Sequence, residues 1–351
     1  MLKALSNLTR LVQRPKPAVG RTPHDVVHRE NKWRLLRFRG PAPRRYRTPI
    51  LMVPSLINRW YVLDLMPGKS FIEWLVDQGH DVYCIDWGNP GREDRYLRFD
   101  DIVGRYLGRA LRRTCEASGV EKAHVLGYCM GGTLAAIHAA AHPERVASLT
   151  GLAAPVAFDD DGILARWTKS KSFDVGALVD AFGNVPWPLL QASFQWLRPT
   201  LNLSKAVFLV DRAVLDRAWN DEFLDGFLAK ERWANDNVSL PGEMYRRYIE
   251  DLYQQNRLVK GTFRLDGRPA RLEAITCPVH VLSFQHDYIV PEESASPLAE
   301  KVSSKDVTHL RLPGGHVGAV VSGSARKRLW PLLSSWWAER DGGRPLEVAA
   351  E

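Results

Sequence analysis

The chain has no stretch of about 18 consecutive apolar residues, the length a membrane-spanning helix needs, and Met1 to Arg14 hold no unbroken apolar run of the signal-peptide kind. These absences predict a cytoplasmic protein that neither spans a membrane nor is secreted. Cysteine is scarce too: four in 351 residues, at positions 84, 115, 129 and 277. No two form a CxxC pair and none stands at metal-ligand spacing from a histidine, so the pattern predicts reduced thiols, no disulfide framework and no metal site. Cys84 and Cys277 fall in apolar, strand-like runs and read as core residues. No nucleic-acid-binding module is recognisable, although the formal charge is +8. Arg105, Arg109 and Arg112 recur at i, i+4 and i+7 on a predicted helix. Such a stripe reads as a solvated face, with phosphates or an acidic partner as the other reading.

What is present is an ordinary globular composition, 45% hydrophobic and 25% charged, in a chain long enough for one large domain with an insertion. Residues 1–44 are basic and proline-punctuated, with Leu2, Leu5, Leu8 and Val12 hinting at a short amphipathic helix, and they read as an N-terminal arm. Strand patterns at 48–54, 81–87, 122–127 and 146–152 then alternate with helical patterns near 68–78, 100–117 and 131–142. That βαβ alternation predicts a mostly parallel sheet with helices on both faces and ligands at the carboxyl ends of its strands. From 155 to 260 the alternation gives way to helical spacing rich in aromatics. Trp187, Phe194, Trp196, Phe208, Trp219, Phe223, Phe227 and Trp233 are expected mostly to form the core of this insertion, some lining an apolar channel. The predicted division is an arm at 1–44, a core at 45–154 and 261–340, a helical cap at 155–260 and a tail at 341–351.

The chemistry-bearing stretch is His124-Val125-Leu126-Gly127-Tyr128-Cys129-Met130-Gly131-Gly132. An apolar strand turns through glycine into a helix with a thiol at the apex, the pattern of a nucleophile elbow carrying cysteine. Gly127 and Gly131 would let neighbouring backbone pass while Cys129 is pushed out into a cleft. A buried structural cysteine is the bland alternative. Two later motifs favour chemistry. The apolar run Pro278 to Phe284 leads into Gln285-His286-Asp287-Tyr288, an acid at a strand end, and Leu310-Arg311-Leu312-Pro313-Gly314-Gly315-His316 places a histidine in a glycine-rich loop after another strand. Nucleophile, acid and then histidine is the chain order of the α/β-hydrolases, which the sequence resembles. The fold class expected from it is α/β.

Further segments narrow the resemblance: Pro54-Ser55-Leu56-Ile57-Asn58-Arg59-Trp60-Tyr61-Val62-Leu63-Asp64-Leu65, Asp81 to Gly88, Gly183-Asn184-Val185-Pro186 and Pro313 to Gly318. With the elbow, they resemble the polyhydroxyalkanoate (poly-3-hydroxybutyrate) synthases, in particular the short catalytic subunit of the two-subunit, class III-like kind, over about residues 45 to 340. The resemblance implies Cys129 as acyl-carrying nucleophile, Asp287 as acid, His316 as base, and the backbone N–H groups of Met130 and Ile57 as oxyanion hole. It implies (R)-3-hydroxyacyl-CoA as substrate, a growing polyester chain, no cofactor, a small helical companion subunit, a homo-oligomer and a place at the surface of polyester granules. Many synthases follow the aspartate with histidine, whereas here Tyr288 follows and His286 precedes it. The long N-terminal domain of one-component synthases is not seen, which is what implies the companion subunit.

The chemistry is consistent with that assignment. A free thiol has a pKa of about 8.5 and needs a base at neutral pH. An acyl group parked on sulfur remains an activated thioester, so its transfer to a hydroxyl runs downhill, which would not hold for an acyl-serine. Asp287 would either orient His316 or help to activate the incoming hydroxyl. A thioesterase or polyester depolymerase with the same three residues is the alternative enzyme, and a catalytically silent granule protein is the non-enzymatic one.

Overall fold

The computed structural model describes residues 13–15, 17–160, 162–170, 172–196 and 219–341. The predicted leucine-spaced helix at Leu2 to Val12, and Phe208, lie outside the described residues. The framework is an eight-stranded sheet. Its strands are β1 (His24–Glu30), β2 (Trp33–Phe38), β3 (Ile50–Val53), β4 (Val82–Asp86), β5 (Ala123–Tyr128), β6 (Val146–Leu152) and, after a short hairpin of β7 (Arg264–Leu265) and β8 (Arg268–Pro269), β9 (Val279–Phe284) and β10 (Val307–Leu312). The sheet order is β1-β2-β4-β3-β5-β6-β9-β10. Neighbours from β4 to β10 are parallel, whereas β2 is antiparallel to both β1 and β4. The predicted α/β architecture with a mostly parallel sheet is therefore the one observed.

Helices cover both faces. They include α1 (Phe71–Asp77), α2 (Leu107–Ser118) and α3 (Met130–Ala141), and at the end α9 (Gly323–Ala338). Every residue of α3 is buried, which fits its almost uninterrupted run of alanine, leucine and isoleucine beneath the insertion. Between β6 and β9 lie α4 (Ile163–Thr168), α5 (Val175–Phe182), α6 (Trp187–Trp196), α7 (Asp221–Ala234) and α8 (Gly242–Arg247), which runs on as a π-helical turn over Tyr248–Gln254. Phe158, Val179, Leu240, Met244, Tyr248 and Leu252 belong to the same buried apolar cluster as strands β3 and β5. The insertion therefore shares the core of the sheet.

Three expectations are corrected. Residues 24–38 are two strands of the main sheet and not part of a loose arm. Trp33, Leu35, Leu36 and Phe38 are buried, while Arg34 and Arg37 reach Asp86 (2.5 Å) and Asp81 (2.9 Å) at the two ends of β4. The basic character that suggested an arm is thus the counter-charge of a neighbouring strand. Likewise the first residue of the predicted tail is tied to the core, since the Asp341 carboxylate accepts from the backbone N–H groups of Arg47 and Thr48, and residues 342–351 lie outside the described residues. Third, the named aromatics of the insertion whose side chains are described are not mostly its core; the side chains of Phe194 and Trp196 lie outside the description. Trp233 is buried, but Trp187 and Trp219 are 42% and 60% exposed, and Phe223 and Phe227 are half-buried. The arginine stripe is a salt-bridged face: Arg109 pairs with Glu30 of β1 (2.5 Å), Arg105 with Glu30 and Asp101, and Arg112 with Glu116.

Three buried histidines are held in the neutral form. His80 and His124 bond Ser334 and Ser148, whereas neither ring nitrogen of the fully buried His280 has a partner among the described residues. Burial lowers their pKa values, to about 3 for His80 and about 4 for His124 and His280. In the unfolded chain they would protonate near 6.5, so between about pH 6.5 and 4 the unfolded state binds protons that the folded state cannot. Stability should fall through that window as the pH is lowered, by up to about 1.4 kcal/mol per pH unit for each such histidine. Melting curves of His280→Phe should show a shallower acid loss than the wild type; an identical pH dependence would contradict this.

Candidate active site

The strand order reverses between β3 and β5, since β4 lies on one side of β3 and β5 on the other. A crevice forms outside the carboxyl ends of strands at such a switch point. Two elements flank it, the loop 54–59 after β3 and the turn from β5 into α3. Cys129 sits at the apex of that turn with φ +56° and ψ −131°, a conformation that costs a non-glycine residue about 1–3 kcal/mol and persists only when its surroundings enforce it. Here they do. A Cβ on Gly131 would stand 2.0 Å from the Val53 carbonyl oxygen, one on Gly127 2.3 Å from the Gly132 Cα, and one on Gly132 2.2 Å from the Ala154 Cβ. The predicted need for glycine at 127 and 131 is seen directly, and Gly132, which the motif alone did not single out, is equally constrained.

Asp287 follows β9 and His316 follows β10, so both sequence-predicted partners lie at the same edge of the sheet as Cys129. His316 Nδ1 donates to Asp287 Oδ2 at 2.7 Å. The other oxygen, Oδ1, accepts from the backbone N–H groups of Ile289 and Val290, both at 2.9 Å. The Asp287 side chain has no exposed surface, and these donors replace the water it has lost. With Nδ1 committed to Asp287, Nε2 of His316 is left for the Cys129 thiol. Burial opposes the charged imidazolium, but the Cys129 charge and the hydrogen bonds to Asp287 and Cys129 outweigh it and raise the His316 pKa to about 10. Burial raises the other thiols instead, to about 11 at Cys115 and Cys277 and well above the usual range at Cys84.

Tyr128, Trp87, Tyr248 and Tyr253 escaped the sequence reading as residues of the site. Tyr128 stacks on His316 with ring centroids 5.3 Å apart and donates through its hydroxyl to the His316 carbonyl at 3.2 Å, fixing the histidine loop from below. Trp87 Nε1 donates to the Pro54 carbonyl (3.0 Å) and pins the loop after β3. Tyr248 and Tyr253, on the π-helical turn, lie close enough to Cys129 for its charge to raise their pKa values further, beyond the rise that burial causes. A search for 3.6-residue spacing would not pair positions five apart, whereas a π turn does. Met130 is the first residue of α3, where the backbone N–H has no intrahelical partner. Ile57 lies in the loop after β3, and its carbonyl accepts from Val238 N–H at 3.0 Å. Tyr288, beside the acid, is 59% exposed, and His286 joins the glycine-rich loop through its N–H to the Gly314 carbonyl.

A cysteine on a strained strand-to-helix elbow, a histidine bonded to a buried aspartate and a crevice at the switch point define an α/β-hydrolase-fold protein. A family model for the alpha/beta hydrolase fold matches residues 48–320, and one for the N-terminus of poly-beta-hydroxybutyrate polymerase (PhaC) matches residues 16–75. Among solved structures, the monoacylglycerol lipase of Paleococcus ferrophilus superimposes with a TM-score of 0.53 at 16% identity, over 88% of this chain and 100% of that one, a likeness of fold alone. The poly(3-hydroxyalkanoate) polymerase subunit PhaC of Haloferax mediterranei is 39% identical over 92% of this chain and 65% of its own length. That of Allochromatium vinosum is 37% identical over 92% of this chain and 90% of its own length. The chain belongs to the poly(3-hydroxyalkanoate) polymerase family of the α/β-hydrolase superfamily.

Because two of the contributions that raise the His316 pKa come from Cys129, Cys129→Ala should lower it markedly. NMR titration of the His316 ring in the two proteins measures this. An equal pKa in both would show that the sulfur and imidazole are not coupled.

Proposed function

We propose that this chain polymerises (R)-3-hydroxyacyl-CoA into polyhydroxyalkanoate with release of CoA, through a covalent thioester on Cys129. The observation that carries the reading is a cysteine at the nucleophile elbow in a chain 37% identical, over 92% of its length, to a polymerase subunit. In the first step His316 takes the Cys129 proton and the thiolate attacks the thioester carbonyl. The backbone N–H groups of Met130 and Ile57 hold the oxyanion, the C–S bond to CoA breaks, and the CoA thiolate takes the proton from His316. In the second step the 3-hydroxyl of another monomer or chain loses its proton to His316 and attacks the acyl carbon, forming an oxoester and freeing Cys129. One ester bond replaces one thioester at each cycle, so the sequence runs downhill without a cofactor.

Asp287, held by three donors, keeps His316 in the tautomer that leaves Nε2 facing sulfur. Water competes with the hydroxyl for the acyl-enzyme, and a roof that excludes it separates a polymerase from a thioesterase. A companion subunit, self-association and granule-surface placement belong to the same proposal. They are supported by the resemblance to the two-subunit synthases and by the word subunit in the names of the relatives.

Purified protein incubated with (R)-3-hydroxybutyryl-CoA should release CoA and form insoluble polyester; release of free 3-hydroxybutyrate instead would identify a hydrolase. Cys129→Ala should abolish CoA release and the covalent adduct, while alanine at Cys84, Cys115 or Cys277 should not. His316→Ala should slow the first acylation by several orders of magnitude. Asp287→Asn distinguishes the two roles of the acid: a normal burst of one CoA per site followed by stalled elongation assigns Asp287 to the hydroxyl, and a burst as slow as that of His316→Ala assigns it to orienting the histidine.

A further inference from the structure

The loop after β3 carries Ile57, whose backbone N–H is one of the two candidate oxyanion donors. Ile57 is only 7% exposed, and its N–H has no acceptor among the described residues. A buried backbone N–H without a partner is rare, since leaving it unpaired costs about as much as a lost hydrogen bond, and a bound group is one way to complete it. The contribution of such a donor depends steeply on where it points, because it must meet the developing oxyanion at about 3 Å. What holds Ile57 in place therefore bears on the reaction.

Upstream, the sheet fixes the loop. The Val53 and Pro54 carbonyls press on Gly131, and Trp87 Nε1 donates to the Pro54 carbonyl. Downstream, the insertion fixes it, through the end of α7 and the residues that follow. Val238 N–H donates to the Ile57 carbonyl (3.0 Å). Asn58 forms a single β-bridge with Asn237, and Asn58 Nδ2 donates to Asn237 Oδ1 (2.5 Å). Trp233 Nε1 donates to the Arg59 carbonyl (2.9 Å). The Asp236 carboxylate gathers two further donors from the loop and the turn after it, Arg59 Nε at Oδ1 (3.0 Å) and the Tyr61 hydroxyl at Oδ2 (2.7 Å). Burial and the Asp236 carboxylate both raise the Tyr61 pKa above its ordinary value, so the hydroxyl stays a donor. Ile57, Asn58, Arg59 and Tyr61 are thus each tied to one short segment of the insertion, 233–238. Asp236 is the charged acceptor among these ties, and bonds to an ionised group are stronger than neutral ones.

We propose that segment 233–238 of the insertion aims the Ile57 N–H at the acyl carbonyl, with Asp236 as the positioning residue at its centre. The insertion then sets the rate of acyl transfer through the geometry of the loop, without Asp236 touching the substrate. The proposal rests on the acyl-thioester reading above and adds to it the groups that orient one of the oxyanion donors. Asp236 also lines a polar cavity of about 360 Å³ together with Trp187, so removing its carboxylate leaves room for water to take over the lost bonds.

Asp236→Ala and Tyr61→Phe test this. Each variant is measured in two reactions of Cys129. Single-turnover CoA release from (R)-3-hydroxybutyryl-CoA needs the oxyanion donors. Alkylation by iodoacetamide displaces iodide at a saturated carbon, forms no oxyanion and needs only the Cys129 thiol and His316. Both variants should lower the limiting rate of CoA release by about tenfold, with KM little changed, which is less than the loss of a whole oxyanion donor. Alkylation of Cys129, located by mass spectrometry, should keep its wild-type rate. The double variant should be no slower than Asp236→Ala alone, because the two residues act through one bond. An unchanged rate of CoA release in both variants, or an equal fall in release and alkylation, would overturn the assignment. Hydrogen exchange gives a second readout that needs no turnover. Backbone amides at 57–61 should exchange faster in Asp236→Ala than in the wild type, while those of β5 and α3 stay as they are. Equal exchange at 57–61 in the two proteins overturns the proposal whatever the activity. Faster exchange, together with a wild type that is alkylated at Cys129 but releases no CoA, keeps the positioning role of Asp236 and overturns the acyl-transfer reading instead.

Discussion

The lack of room around the β5–α3 turn governs the rest of the site. Backbone atoms approach Gly127, Gly131 and Gly132 so closely that a Cβ at any of them would overlap a neighbour. This closeness binds four parts of the chain together: β5, the first turn of α3, the end of β3 and the residues after β6. The strained backbone of Cys129 is the residue of that packing, because a turn so tight leaves the apex one way to point. Where the loop after β3 touches Gly131, the thiol and the candidate oxyanion donors are set relative to one another by main chain, with no flexible side chain between them.

The second constraint is electrostatic and acts through Asp287. A carboxylate with no exposed surface is costly unless donors replace its water, and Asp287 has three. Two are backbone groups that cannot move away, so the third, the His316 ring, is fixed in turn. Tyr128 packs against the other side of that ring. The histidine is thereby confined by groups from β5 and from the loop after β9.

Much of this was legible because the motifs are local. The elbow, the acid and the histidine each lie next to the strand that positions them, and the strand and helix patterns from 48 to 152 match the observed elements to within a few residues. What escaped depends on distant pairing. The Trp33–Phe38 strand alternates arginine with buried apolar residues, and its charge finds its partners only across the sheet, at Asp81 and Asp86. The exposed Trp187 was expected in the insertion's core because aromatic content alone does not tell a hydrophobic interior from the wall of a polar cavity. Tyr248 and Tyr253 were hidden by the π turn, which breaks the periodicity that a helix search relies on.

The way the insertion is fastened bears on how acyl transfer can exclude water and still admit a growing chain. The part that carries Tyr248 is deeply buried with the sheet and belongs to its core, so the roof nearest Cys129 is held by apolar packing. Farther out, α7 buries Leu224, Ala229 and Trp233 and adds polar contacts at its surface: Arg14 to Asp225 and Asp221, Lys69 to the Glu222 carbonyl, and Arg232 to the Pro17 carbonyl. Surface ion pairs of this kind are each worth about 0–1 kcal/mol. The outer helix is therefore held chiefly by its buried face. An insertion packed by apolar side chains close to the candidate nucleophile suits a reaction from which water must be excluded.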